Sequence, residues 1–183
     1  MRIFKEPKEL EVWILKDARY ELFKTYKVHA YSGKLGPKQR EGDQQAPEGF
    51  YFVPARAMNP NSSYHLSFNL GYPNAYDKAH GCTGNALMVH GSTVSIGCFA
   101  MTDPRIEEIY TLADGALRGG QPFFRVHIFP FRMSDENLKA HAGTRWDAFW
   151  LNLKAGHDHF EKEKVPPDVG VKDGKYVFTG KVP

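Results

Sequence analysis

His90-Gly91-Ser92-Thr93-Val94-Ser95-Ile96-Gly97-Cys98 follows directly on the apolar run Leu87-Met88-Val89. That run predicts a short strand that delivers His90 at its end. A thiol must lose its proton before it attacks a carbonyl, and a nearby imidazole supplies that activation. Gly97 lets the backbone approach a substrate closely and leaves main-chain N–H groups to face an oxyanion. A Cys–His pair alone carries little weight, because most cysteines in soluble proteins are inert core residues.

Upstream of this stretch, Leu10, Val12 and Ile14 alternate with Glu11, Trp13 and Leu15, and Lys16-Asp17-Ala18-Arg19 breaks the run. With Phe23, Tyr26 and Val28 after the break, the pattern from Leu10 to Tyr31 predicts a β-hairpin. A loop rich in Gly, Pro and charge runs from Gly33 to Gly49, and strands are expected at Phe50–Val53 and Tyr64–Leu70. Downstream, Thr102-Asp103-Pro104 is a helix start with an expected capping side chain at Thr102. Ile106, Ile109, Ala113, Ala116 and Leu117 supply its apolar stripe, and Gly119-Gly120 ends it. Phe123–Phe129 reads as a strand, Ser134-Asp135-Glu136 opens a second helical region, and Asp173-Gly174 predicts a terminal hairpin. The fold class is α+β: a single β-rich domain over residues 1–183, with a mixed or antiparallel sheet core and two main helical regions.

The chain has 183 residues, 42% of them apolar, which suits a packed domain and excludes disorder. Lys and Arg number 24 against 21 Asp and Glu, a net charge of +3 spread without a basic block. No nucleic-acid partner is expected from that distribution. No run approaches the length of a membrane span. Cys82 and Cys98 are too few for a disulfide scaffold.

The motifs His90-Gly91 and Ser95-Ile96-Gly97-Cys98 resemble those of the L,D-transpeptidase (YkuD-type) family. So do the early hairpin and Ala46-Pro47-Glu48-Gly49-Phe50-Tyr51. Asn69-Leu70-Gly71-Tyr72-Pro73-Asn74, Met88-Val89-His90-Gly91-Ser92 and Phe129-Pro130-Phe131-Arg132-Met133 are most similar to its YafK-like murein subgroup. The resemblance implies Cys98 as nucleophile, His90 as base, and Gly91 carbonyl or Ser92 hydroxyl as the group that orients the imidazole. Gly97 and Cys98 would form the oxyanion hole. Ser95, His65, Asn69 and Tyr72 are candidates for the substrate groove, with packing an equal reading for the last three. The implied substrate is a peptidoglycan stem peptide, attacked at its diaminopimelate carbonyl, and no cofactor is called for. Hydrolysis that frees a lysine-linked outer-membrane lipoprotein is the outcome implied by the subgroup. A transpeptidase and a non-catalytic wall-binding module are the alternatives. The resemblance also implies a periplasmic home and a removed signal peptide. Two departures stand out: only Ser92 to Ile96 separate the motifs, a shorter stretch than the family's, and Ala100 occupies the position of a family Arg.

Other residues admit rival readings. His80, Cys82, His90 and Cys98 could be imagined as a zinc site, but only His80 and Cys82 are closely spaced. His80 with Cys82 is a rival catalytic pair. His157-Asp158-His159 is read as a solvated helix face, and Trp146, Phe149, Trp150 and Phe160 as core. Lys34, Lys38 and Arg40 are read as solvated loop charges.

Overall fold

The computed structural model describes residues 1–180. Strands β1 (Arg2–Phe4), β2 (Glu9–Lys16) and β3 (Arg19–Lys27) come first, and β2 and β3 form a hairpin that turns at Asp17 with φ +56°. The expected hairpin runs on to Tyr31, but the chain leaves the ladder after Lys27, and β4 (Ala30–Tyr31) joins a different sheet. Then come β5 (Gly49–Pro54), β6 (Met58–Ser62), β7 (His65–Asn69), α1 (Ala75–Ala79), β8 (Met88–His90) and β9 (Phe99–Ala100). The chain ends with α2 (Asp103–Arg118), β10 (Phe123–Phe129), α3 (Asp135–Ala140), α4 (Asp147–Glu163), β11 (Asp168–Lys172) and β12 (Lys175–Thr179).

The α+β class is as expected, with finer detail than the sequence predicts. The second helical region is two helices, α3 capped by Ser134 Oγ and α4 beginning after Gly143 at φ +91°. Helix α1 is an addition, closed by a capping box in which Asn74 and Asp77 exchange side-chain and backbone hydrogen bonds. Thr102 caps α2 without using its side chain. At φ +74° that residue turns away, and Asp103 Oδ1 accepts the Ser92 N–H instead.

Two five-stranded sheets, ordered β3-β2-β1-β10-β5 and β4-β9-β8-β7-β6, carry the chain, and β11-β12 form a separate pair. Each large sheet is mixed, with one parallel pair: β1 with β10 in the first and β8 with β9 in the second. Helix α2 contacts β10 of one sheet and β7 and β8 of the other. Its stripe of Ile106, Ile109 and Ala113 joins Ile3, Val53, Val126 and Ile128 and Phe68, Val89 and Phe99 in one core. Strand alternation sends Phe4, Phe50 and Phe129 to the opposite face of the first sheet. There α4 covers them with Phe149, Trp150 and Leu153. Each large apolar side chain so buried contributes roughly 1.5–3 kcal/mol.

Lys5 and Glu48 sit where these layers meet, both fully buried. Lys5 Nζ donates to Glu48 Oε1 at 2.9 Å and to the carbonyls of Lys34, Gly36 and Ala46. Glu48 also accepts from the Gly36 N–H and from Trp150 Nε1. Burial pulls the Lys5 ammonium down from its ordinary pKa, and the Glu48 charge opposes that pull. Lys5→Met strands a buried carboxylate and takes the ammonium from three carbonyls, of which those of Lys34 and Gly36 keep the Gln45 amide. The expected loss is about 3–5 kcal/mol, read as a lowered urea midpoint.

Candidate active site

The pairing of β8 with β9 aligns Val89 with Phe99 and His90 with Ala100. Side chains alternate along a strand, so Met88, His90, Cys98 and Ala100 fall on one face. Strand β7 adds Ser67 opposite His90 and Asn69 opposite Met88 on that same face. His90 and Cys98 are therefore diagonal neighbours. Parallel strands normally need a crossover of a dozen or more residues. Here residues 91–98 suffice. The tight path uses left-handed backbone at Ser92 (φ +62°) and Gly97 (φ +89°), and Ser95 Oγ staples it by donating to the Cys98 carbonyl at 2.6 Å.

His90 is 1% exposed. Its Nδ1 lies 2.6 Å from the Gly91 carbonyl. A carbonyl only accepts, so Nδ1 carries the proton and Nε2 keeps its lone pair. The Tyr64 ring covers the imidazole with centroids 4.7 Å apart. Burial pushes the imidazole below its ordinary pKa, partly opposed by the Gly91 bond. Cys98 Sγ accepts the Met88 N–H at 3.4 Å and faces the Ala86 carbonyl at 3.7 Å. Burial pushes this thiol up, and the Met88 N–H and the Lys38 charge pull it back in part. Both shifts favour the uncharged form of each group.

The other predicted residues separate into distinct roles. Ser95 holds the turn under Cys98. The Gly97 N–H donates to Ser32 Oγ at 2.5 Å, and Ser32 in turn donates to the Gln44 carbonyl. Of the two candidates for orienting the imidazole, the Gly91 carbonyl is the one hydrogen-bonded to it. Ser92 instead fixes the loop to α2, its N–H on Asp103 and its carbonyl accepting from the Thr102 N–H. Asn69 shares the site face, half-buried, with Oδ1 accepting the Gly71 N–H. Tyr72 is buried, its hydroxyl donating towards the Lys38 and Thr83 carbonyls. His65 is exposed and paired with Glu107 of α2 at 2.7 Å.

Lys38 departs from the solvated reading: it is buried, with Nζ on Asp43 Oδ1 and the Arg40 carbonyl. It lines a cavity of about 230 Å³ together with Ala86, Leu87, Ile96 and Gly97, beside the thiol. Cys82 and Cys98 are both free thiols. His80 stacks on Tyr76 and bonds its carbonyl, which leaves it committed elsewhere than Cys82. Among the described residues no three His, Cys, Asp or Glu side chains stand where they could hold a metal ion. Ser32 and Tyr64 escaped the sequence reading. Each lies far along the chain from the motif, and only the tertiary fold brings them to it.

A family model described as the L,D-transpeptidase catalytic domain (YkuD) matches residues 8–145. The protein YafK of Escherichia coli (strain K12), named for the same family, is 49% identical over 179 residues. That alignment takes in 98% of this chain and 73% of YafK. The same figures hold for YafK of Escherichia coli O157:H7. Among solved structures, the helical cell shape determining protein Pgp2 of Campylobacter jejuni superposes with a TM-score of 0.59 at 18% identity, over 94% of this chain and 72% of that one. A mutant form of Pgp2 gives the same TM-score at 22% identity, over 87% of this chain and 54% of that one. These structural likenesses bear on the fold.

The burial of Cys98 sets a pH dependence. Alkylation needs the thiolate, and burial penalises it, so the iodoacetamide rate of folded protein should rise at higher pH than that of an unburied thiol near 8.5. A midpoint below that of the urea-unfolded chain would show a preformed thiolate–imidazolium pair instead.

Proposed function

The chain belongs to the L,D-transpeptidase catalytic-domain family, and from that premise we propose that it is a cysteine enzyme acting on peptidoglycan stem peptides at the bacterial cell wall. The observation that carries this reading is the fixed His90 tautomer. With Nδ1–H spent on the Gly91 carbonyl, Nε2 is the basic nitrogen left for the shared face that Cys98 occupies. Sγ faces the Ala86 carbonyl, so the proposed reaction requires the Cys98 side chain to turn to another staggered well, towards that nitrogen. Such contacts often tighten only when substrate is bound.

With the uncharged form of each partner favoured, attack and proton transfer go together. Sγ bonds to the diaminopimelate carbonyl carbon as its proton passes to His90 Nε2. The carbonyl oxygen becomes an oxyanion. No acceptor among the described residues takes the Cys98 N–H, so it is available to that oxyanion. The Gly97 N–H joins it, since a charged acceptor outcompetes the neutral Ser32 hydroxyl. Each such donor is typically worth about 3–4 kcal/mol of barrier. The C–N bond then breaks, and His90 returns the proton to the departing amine. Water, deprotonated by His90, attacks the thioester; the C–S bond breaks and the thiol is restored.

Water is the proposed acceptor, and a lysine amine of a murein-linked lipoprotein the proposed leaving group. The subgroup resemblance supports that choice, as does the short connection 91–98, whose Val94 and Ile96 stand exposed at the rim. A periplasmic location follows from this substrate. No helix among the described residues is long and apolar enough to cross a membrane.

Digestion of intact sacculi, with released muropeptides and lipoprotein identified by mass spectrometry, tests the proposal. Cys98→Ala should lose at least about a thousandfold in rate with an unchanged circular dichroism spectrum. Cys82→Ser should remain active. New cross-links without release would make the enzyme a transpeptidase, and full activity in Cys98→Ala would remove the thiol from the mechanism.

A further inference from the structure

Tyr64 lies in the turn between β6 and β7, far in sequence from the motif, yet its ring packs on the His90 imidazole with planes 38° apart. The tyrosine is 40% exposed and the imidazole 1%, so the phenol ring forms the outer wall of a buried base. Three independent features press this turn inward. The Tyr64 carbonyl oxygen lies 2.7 Å from where a Cβ on Gly91 would stand, so only glycine at 91 admits the turn so close. The Tyr64 N–H donates to Ser62 Oγ at 3.1 Å. His65 takes φ +73°, backbone that non-glycine residues rarely adopt, and its ring is moored to Glu107 on α2. The β6–β7 ladder is itself irregular between Asn59 and Ser62, so plain hairpin closure does not account for the arrangement.

We propose that Tyr64 is a positioning residue for His90, with its ring as the element that acts. The inference rests on His90 being the base. The Nδ1 bond to the Gly91 carbonyl fixes where one ring nitrogen points, but a terminal ring torsion is otherwise broad. An aromatic face against the imidazole removes that remaining freedom and keeps Nε2 aimed at the face of Cys98. The hydroxyl has no part in this, so phenylalanine should serve as well as tyrosine. The position is exposed, and truncation there leaves both cores intact.

The test compares Tyr64→Ala, Tyr64→Phe and His90→Ala by three readouts. The first is the iodoacetamide rate of Cys98 near neutral pH, which needs no wall substrate. Tyr64→Ala should slow it about tenfold, towards the His90→Ala rate, and Tyr64→Phe should stay within about twofold of the parent. The second is turnover on sacculi, where Tyr64→Ala should lower kcat about tenfold and leave KM within about twofold. The third is the NMR shift of the His90 ring protons, which should lose its ring-current displacement in Tyr64→Ala and keep it in Tyr64→Phe. Parent-like alkylation in Tyr64→Ala with slow alkylation in His90→Ala would overturn the positioning role alone. So would failure of Tyr64→Phe to rescue, or a raised KM at constant kcat, which would make Tyr64 a substrate contact. Unchanged alkylation in both Tyr64→Ala and His90→Ala would remove the base assignment, and the positioning role with it.

Discussion

The buried ion pair of Lys5 with Glu48 is the constraint on which the rest of the molecule leans. Taking two charges out of water is costly, and such a pair survives only where every remaining donor and acceptor is satisfied. That requirement organises the long loop from Ser32 to Glu48, because the loop carbonyls of Lys34, Gly36 and Ala46 are the partners the ammonium needs. Gln45 Nε2 shares two of those carbonyls. Gly36 can supply one only because it lacks a Cβ, which would stand 2.4 Å from the Trp146 indole nitrogen. From the ordered loop, Ser32 reaches across to the Gly97 N–H. A turn residue just after β1 thus fixes, through one loop, the backbone next to the candidate nucleophile.

The electrostatics of the site point to a particular style of activation. Many reactive thiols are held ionised by a nearby positive charge. Here desolvation is the largest influence on both groups, raising the thiol and lowering the imidazole, and in the proposed mechanism charge separation would wait until a carbonyl can accept the electrons. A neutral thiol is also less prone to oxidation, which would suit the periplasmic location proposed for the chain.

Much of the fold was legible because its signals are local. The period of α2, the strand at Phe123–Phe129 and the Asp173-Gly174 turn each depend on a few neighbouring residues. The sequence misled where a choice was tertiary. Ala30 and Tyr31 look like the continuation of a hairpin, yet they pair with β9, and nothing local distinguishes one partner from the other. Helix α1 could have been found from Asn74 and Asp77, whose spacing is a capping signal. In the site, the order His-Gly then Gly-Cys is written in the chain and the shared face follows from alternation. What alternation cannot reveal is which distant groups close over that face. Lys38 lies in a loop that reads as solvated, Ser32 stands between that loop and the predicted hairpin, and Tyr64 opens a run that reads as a strand, so none of them declares its place over the site.

The short link between β8 and β9 has a mechanical meaning. Residues 91–98 span two adjacent parallel strands with left-handed backbone near each end, an internal hydroxyl staple and an anchor on α2. Those ties make the connection a braced edge of the site, with only Val94 and Ile96 among its apolar side chains standing out into solvent. In the proposed reaction with cell-wall peptide, that edge would present the candidate nucleophile as a face set in advance. Across the site the Ser62–His65 turn is held in its own way, by the Tyr64 ring on His90, the Tyr64 N–H on Ser62 and the His65 pair with Glu107, so the two banks brace one another.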